Sequence, residues 1–131
     1  MELDELVGRA RNALSPRSLS PRAEAGGVAA AILTEAGNVY VGVCIDTACS
    51  MGFCAEHAAA AAMITAGEQN IEKLVAVGRD GRILPPCGRC REFLSQLDEN
   101  NADARVLVRE GTELLLRDLL PYDWKQFKDE T

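Results

Sequence analysis

The chain has 131 residues, 47% of them hydrophobic, which suits one compact domain over residues 1–131 with a single core. Its formal net charge of −6 and pI near 4.8 argue against a nucleic-acid partner, because no basic stripe could displace counterions from phosphates. No apolar run reaches the length of a membrane span, and the acidic opening MELDELVGRARN lacks the apolar segment of a secretory leader; a cytoplasmic protein with no membrane partner is expected.

In chain order, ELDELVGRARNAL places Leu3, Leu6, Val7 and Ala10 at helical spacing, an amphipathic helix. SPRSLSPRAEAGG reads as a Pro/Ser/Gly-rich connection. VAAAILT and VYVGVCI flank the turn signal EAGN, so Val28 to Ile45 reads as a β-hairpin. The loop DTACSMGF leads into an alanine-rich helix from about Cys54 to Ala66, ended by Gly67. IEKLVAVG is a buried strand, RDGRILPP a loop, and CGRCREFLSQLDE a helix with Phe93, Leu94 and Leu97 on one face. ARVLVRE and ELLL form a second strand pair, followed by a short helix over RDLLPYDW. The series implies a three-layer α/β/α sandwich around a mixed five-stranded sheet. Arg82 and Arg91 read as solvated surface charges.

Five thiols, Cys44, Cys49, Cys54, Cys87 and Cys90, make an odd set in a chain large enough to fold without disulfides, so close spacing points to metal binding or catalysis. Cys87 and Cys90 are three apart at a helix start, and Cys54 opens the other helix; helix N-termini favour thiolates. Three such thiolates form a nest for zinc at roughly 2.3 Å per bond, with a fourth position left for water. Glu56 follows Cys54 by two residues, about 200° around a regular helix, so it ligates the same metal poorly but can lean over the pocket as a proton carrier. A ligand-x-Glu segment followed by Pro-Cys-x-x-Cys is the signature of zinc deaminases.

CAEHAAAA and PCGRCRE resemble the cytidine deaminase family, closest to its blasticidin-S deaminase-like branch, and the order of elements is similar from Val28 to Trp124. The resemblance implies one Zn²⁺ per subunit on Cys54, Cys87 and Cys90. It also implies that Glu56 moves protons while a cytosine-type amine is replaced by oxygen and ammonia leaves. Substrate contacts would fall at Cys44, Asp46, Ala55 and Trp124, the last reaching a pocket of a neighbouring subunit in a homotetramer or dimer. The family often carries Arg after the catalytic Glu to balance thiolate charge; His57 stands there, and Arg89 can share that duty. Where cytidine-using members have Asn-x-Glu, this chain reads Cys44-Ile45-Asp46, and Gly26 stands where an aromatic is expected.

A second reading treats Cys54, His57, Cys87 and Cys90 as a closed structural Cys₃His zinc site in a non-catalytic module. Cys54 and His57 at i, i+3 share a helix face, which keeps it open. Against it, Glu56 would then have no purpose, and a domain this apolar needs no metal staple.

Overall fold

A computed structural model describes residues 1–127. Three helices, α1 (Leu3–Ala13), α2 (Ala55–Thr65) and α3 (Gly88–Leu97), surround six strands. The strands are β1 (Arg17–Ser20), β2 (Ala23–Thr34), β3 (Val39–Thr47), β4 (Ile71–Val77), β5 (Arg105–Arg109) and β6 (Thr112–Leu115). The long strand β2 organises the sheet. It runs antiparallel to β3 on one side; on the other it pairs with β1 near its start and with β4 beyond Ala29. β4 is parallel to β5, and β5 antiparallel to β6, so the sheet is mixed as expected.

The count of five strands is corrected to six. β1 lies in the segment read as a connection, and all four of its residues are exposed. Such a strand buries no face, so it leaves no alternation to detect. It forms because β2 begins at Ala23, five residues before the apolar hairpin run, and offers its edge at Glu24 and Ala25.

The period of two along β2 sorts the layers. Ala29, Ala31 and Leu33 face α1 with Leu6, Val7 and Ala10, joined by Val75 and Val77 of β4. Ala30 and Ile32 face the opposite side with Met63 of α2, Leu94 of α3, Leu74 and Val106. The result is an α/β/α sandwich. The alanines of α2 let its backbone press onto β3. A Cβ added at Gly42 would stand 2.3 Å from the Ala59 nitrogen, so only glycine fits beneath that helix.

The expected closing helix does not form. Leu116–Leu119 and Trp124–Gln126 are separate single 3₁₀ turns. Pro121 has no N–H to continue a helix, and Tyr122 takes a positive φ of 54°, which breaks it. No helix among the described residues is long and apolar enough to cross a membrane.

Candidate active site

Two helix starts converge on one cavity. Cys54 is the N-cap of α2 and Cys87 the N-cap of α3, both with extended backbone, and Cys90 lies in the first turn of α3. Each start is delivered by the sheet. Ile45, near the end of β3, and Phe53 exchange N–H···O bonds of 3.0 and 2.9 Å, which set Cys54 beside the strand. Gly52 makes this approach possible, since a Cβ there would lie 2.0 Å from the Ile45 carbonyl oxygen. At the other motif, the loop after β4 folds back on it. The Gly78 N–H donates to the Arg82 carbonyl at 2.8 Å and the Leu84 N–H to the Ala76 carbonyl at 2.9 Å, aiming Pro85 and Pro86 at α3.

Arg91 corrects its expected role as a solvated charge. Its Nε donates to the Pro86 carbonyl at 2.8 Å and its Nη1 reaches the Leu119 carbonyl at 3.4 Å, tying the approach of Cys87 to its own helix. Sequence reasoning missed this because an arginine one residue past Cys-x-x-Cys carries no local mark of a backbone partner. Arg82, by contrast, is exposed and pairs with Asp80 at 3.6 Å.

The three sulfurs form a compact triangle. Cys54 Sγ lies 3.6 Å from Cys87 Sγ, and Cys87 Sγ 3.5 Å from Cys90 Sγ. Tetrahedral zinc with bonds of roughly 2.3 Å spaces its sulfurs about 3.8 Å apart, so the donor set fits that ion. His57 stands at the same cluster: its Nδ1 is 3.3 Å from Cys90 Sγ, and Cys54, His57 and Cys90 offer ligand atoms all within 4.8 Å of one another. The ring of His57 is fixed by stacking on Phe93, centroids 4.1 Å apart and planes 11° from parallel.

Protonation follows position. Burial pushes the thiols of Cys54 and Cys90 up, with neighbouring thiols and Glu56 adding to it. Burial acts the same way on Cys87, but the Cys90 backbone N–H and the surrounding thiols outweigh it and leave that thiol below its ordinary value. Glu56 is 5% exposed, and burial raises its carboxyl above the usual carboxylate range against smaller relief from its own backbone N–H and Cys90. Burial, and then the nearby charge of Arg89, lower the His57 imidazole.

The cavity beside the triangle has a volume of about 600 Å³. Cys54, Ala55, Glu56, Cys87 and Arg89 line one end, and Val28, Cys44 and Asp46 the other; His57 and Cys90 do not line it. Cys44 is held by the Val28 N–H, which donates to its sulfur at 3.3 Å. Thr47, also on the wall, has a buried hydroxyl with no hydrogen-bond partner among the described residues. Trp124 is not brought to this cavity by its own chain. It is 56% exposed, and its Nε1 donates to Glu92 at 3.2 Å on α3, where Lys125 also pairs with Glu92 at 2.8 Å. Cys49 is exposed and stands apart from the triangle.

An α/β/α sandwich whose two helix starts bring cysteines and a buried carboxyl to one cavity has the cytidine deaminase-like fold. The crystal structure of cytidine deaminase from Mycobacterium tuberculosis matches it with a TM-score of 0.78 and 28% identity, covering 93% of this chain and 96% of that one. Cytidine deaminase from Mycobacterium leprae matches at 0.77 and 25%, covering 92% and 98%. No model of a known protein family matches the chain. In sequence, the cytidine deaminase of Halalkalibacterium halodurans is 33% identical over 100 residues, 72% of this chain and 74% of that protein. The chain belongs to the cytidine deaminase family.

Proposed function

We propose that the protein is a zinc-dependent hydrolytic deaminase of a cytosine-type nucleoside or analogue, such as cytidine, deoxycytidine or a blasticidin-S-like molecule. The observation that carries this reading is the buried Glu56, whose carboxyl lines the same cavity as Cys54 and Cys87 and has its affinity for protons raised by burial. Cys54, Cys87 and Cys90 would hold one zinc per subunit, and the ion would supply Lewis acidity that lowers the pKa of a water to roughly 7.

The chain's own groups do the rest. Glu56 would take a proton from water and give it to ring N3 as the hydroxyl adds at C4, then carry that hydroxyl's proton to the departing amine, so that C4 becomes a carbonyl, water is consumed and ammonia released. A carboxyl poised above its ordinary range suits both directions of transfer. With its proton on Nδ1, His57 donates to Cys90 Sγ and, with Arg89 nearby, offsets thiolate charge. The stack on Phe93 holds it to that task. Cys44 and Asp46 line the side that would receive the sugar, and Ala55, at the thiol end, would meet the base. Trp124, directed away from its own cavity, suits closure of a neighbour's in a homotetramer. One cytoplasmic domain taking a small molecule accords with the acidic, unspanned chain.

The second reading, a closed Cys₃His zinc, is favoured by one contact, the 3.3 Å approach of His57 Nδ1 to Cys90. Bound zinc and ammonia release from a panel of cytosine nucleosides separate the two. Glu56→Gln should keep the metal and lose roughly a thousandfold in turnover. His57→Ala should keep the metal too. Loss of zinc from His57→Ala, with no turnover by the parent, would establish the closed site.

A further inference from the structure

The start of α3 is poorly made for a helix. Cys87, its N-cap, contributes no side-chain capping bond, Gly88 opens the first turn, and no acidic residue lies in that turn. Arg89 and Arg91 stand there instead, two cations beside the positive end of the helix dipole. By contrast, α2 opens on Glu56 among alanines. What favours the first turn of α3 is negative charge on the sulfurs of Cys87 and Cys90 and an ion that holds them together.

The two residues that follow Cys90 both reach the C-terminal segment. Arg91 Nη1 donates to the Leu119 carbonyl at 3.4 Å. Glu92 gathers three donors: Trp124 Nε1 at 3.2 Å on one oxygen, and Lys125 Nζ and Gln96 Nε2, each at 2.8 Å, on the other. Lys125 also pairs with Asp123 at 3.0 Å and stands 5.4 Å over the Trp124 ring. Apolar packing adds little. Leu119 and Leu120 pack on the core, but beyond Pro121 the large side chains face outward; Tyr122 is 93% exposed, and Trp124 and Phe127 are also exposed. The polar clasp on Glu92 therefore decides whether this stretch stays docked.

We propose that residues 121–127 form a strap docked on α3 through Glu92, and that this docking is linked to metal binding at Cys87 and Cys90. The inference goes beyond the deaminase reading, since it needs a metal on the thiols and no particular reaction. With zinc on both sulfurs the first turn of α3 is fixed, and so is the direction of Glu92, two residues further along the same helix. Without the ion, a turn with two arginines and no cap frays, and the carboxylate loses its place beside Trp124 and Lys125. Linkage is reciprocal, so a docked strap strengthens metal binding by the same factor.

Trp124 is the single tryptophan of the chain, so its fluorescence reports the strap directly. Zinc is chelated from the loaded protein while Trp124 emission is followed, and tryptic cleavage after Lys125 gives a second readout in the parent. Chelation should move the parent's emission to longer wavelength and speed that cleavage. Glu92→Ala and Lys125→Met, each saturated with zinc, should show the released emission already and shift no further on chelation. In chelator competition both should bind zinc about tenfold more weakly than the parent. Lys125→Met opens the clasp from the strap side and leaves the sequence of α3 intact. A parent that binds no zinc, emission and cleavage indifferent to chelation, variants that shift as the parent does, or variants that keep the parent's zinc affinity would each overturn the strap. No arm reads ammonia, so its failure leaves the deaminase reading where it stands.

Discussion

The two ends of the groove are built by different means. At the thiol end, Cys54 with Glu56 and Cys87 with Cys90 come from two short motifs, each at the first turn of a helix, and each helix start positions its own side chains. At the other end, Gly27, Cys44, Asp46 and Arg79 come from β2, β3 and the loop after β4, and meet only because those strands are neighbours through β2. The first end is local in sequence. The second can change residue by residue while the strands stay paired, which is where this chain departs from the cytidine-using pattern. Under the proposed deaminase reading, reaction and substrate would be set by separable parts.

The largest test of that division is Cys87→Ala. It removes the sulfur common to both short S···S contacts, and should abolish stoichiometric zinc and turnover together, measured by metal analysis and ammonia release. Zinc retained at full stoichiometry would place the metal on Cys54, His57 and Cys90 instead. Next, Arg91→Ala frees the Pro86 carbonyl and should weaken zinc about tenfold in chelator competition, as loss of an outer support commonly does. An unchanged zinc affinity would make Arg91 merely a surface charge. At the other end, Asp46→Ala should raise KM for cytidine about tenfold with zinc content and kcat preserved, the signature of lost uniform binding. A fall in kcat with KM unchanged would instead tie the two ends together.

The smallest effect lies away from both. Glu68, three residues past α2 and bonded back to the Met63 carbonyl, accepts from Tyr40 Oη at 2.5 Å and from Asn38 Nδ2 at 2.8 Å, bonds that join the β2–β3 hairpin to the helix that Cys54 opens. The Tyr40 hydroxyl first, then Thr34 and Asn38, hold the Glu68 carboxyl below its ordinary value of 4.5. A depressed carboxyl contributes stability above that value and loses it as pH falls through the folded pKa. Glu68→Gln should therefore lower Tm modestly at pH 7, with the gap to the parent closing below pH about 4.5. A gap independent of pH would show that the charge of Glu68 contributes nothing.

Much of the architecture was legible because burial leaves a period. Leu6, Val7 and Ala10 marked α1, and the turn signal EAGN between two apolar runs marked β2 and β3, but the sorting of odd and even residues of β2 into two cores is seen only in the structure. β1 was illegible because no residue in it is buried, and its pairing depends on an edge supplied by β2. The closing helix was overcalled because the leucines of LRDLLP suggest a period that Pro121 and the positive φ of Tyr122 interrupt. Asn101 left no trace either. It is fully buried, accepting from the Ile71 N–H at 2.8 Å and donating to the Leu94 carbonyl at 3.0 Å, and nothing in ENNADA distinguishes it from its exposed neighbours.

The sequence by itself determined the thiols, the carboxyl and their order, because ligand spacing at a helix start is a local property of a few consecutive residues. Tertiary structure alone decided that Arg91 holds Pro86, that His57 stacks on Phe93 beside Cys90, and that Arg79 lies against Gly27. Each joins segments whose meeting depends on sheet pairing and helix packing, and no residue carries in its own neighbourhood the address of a partner on another strand.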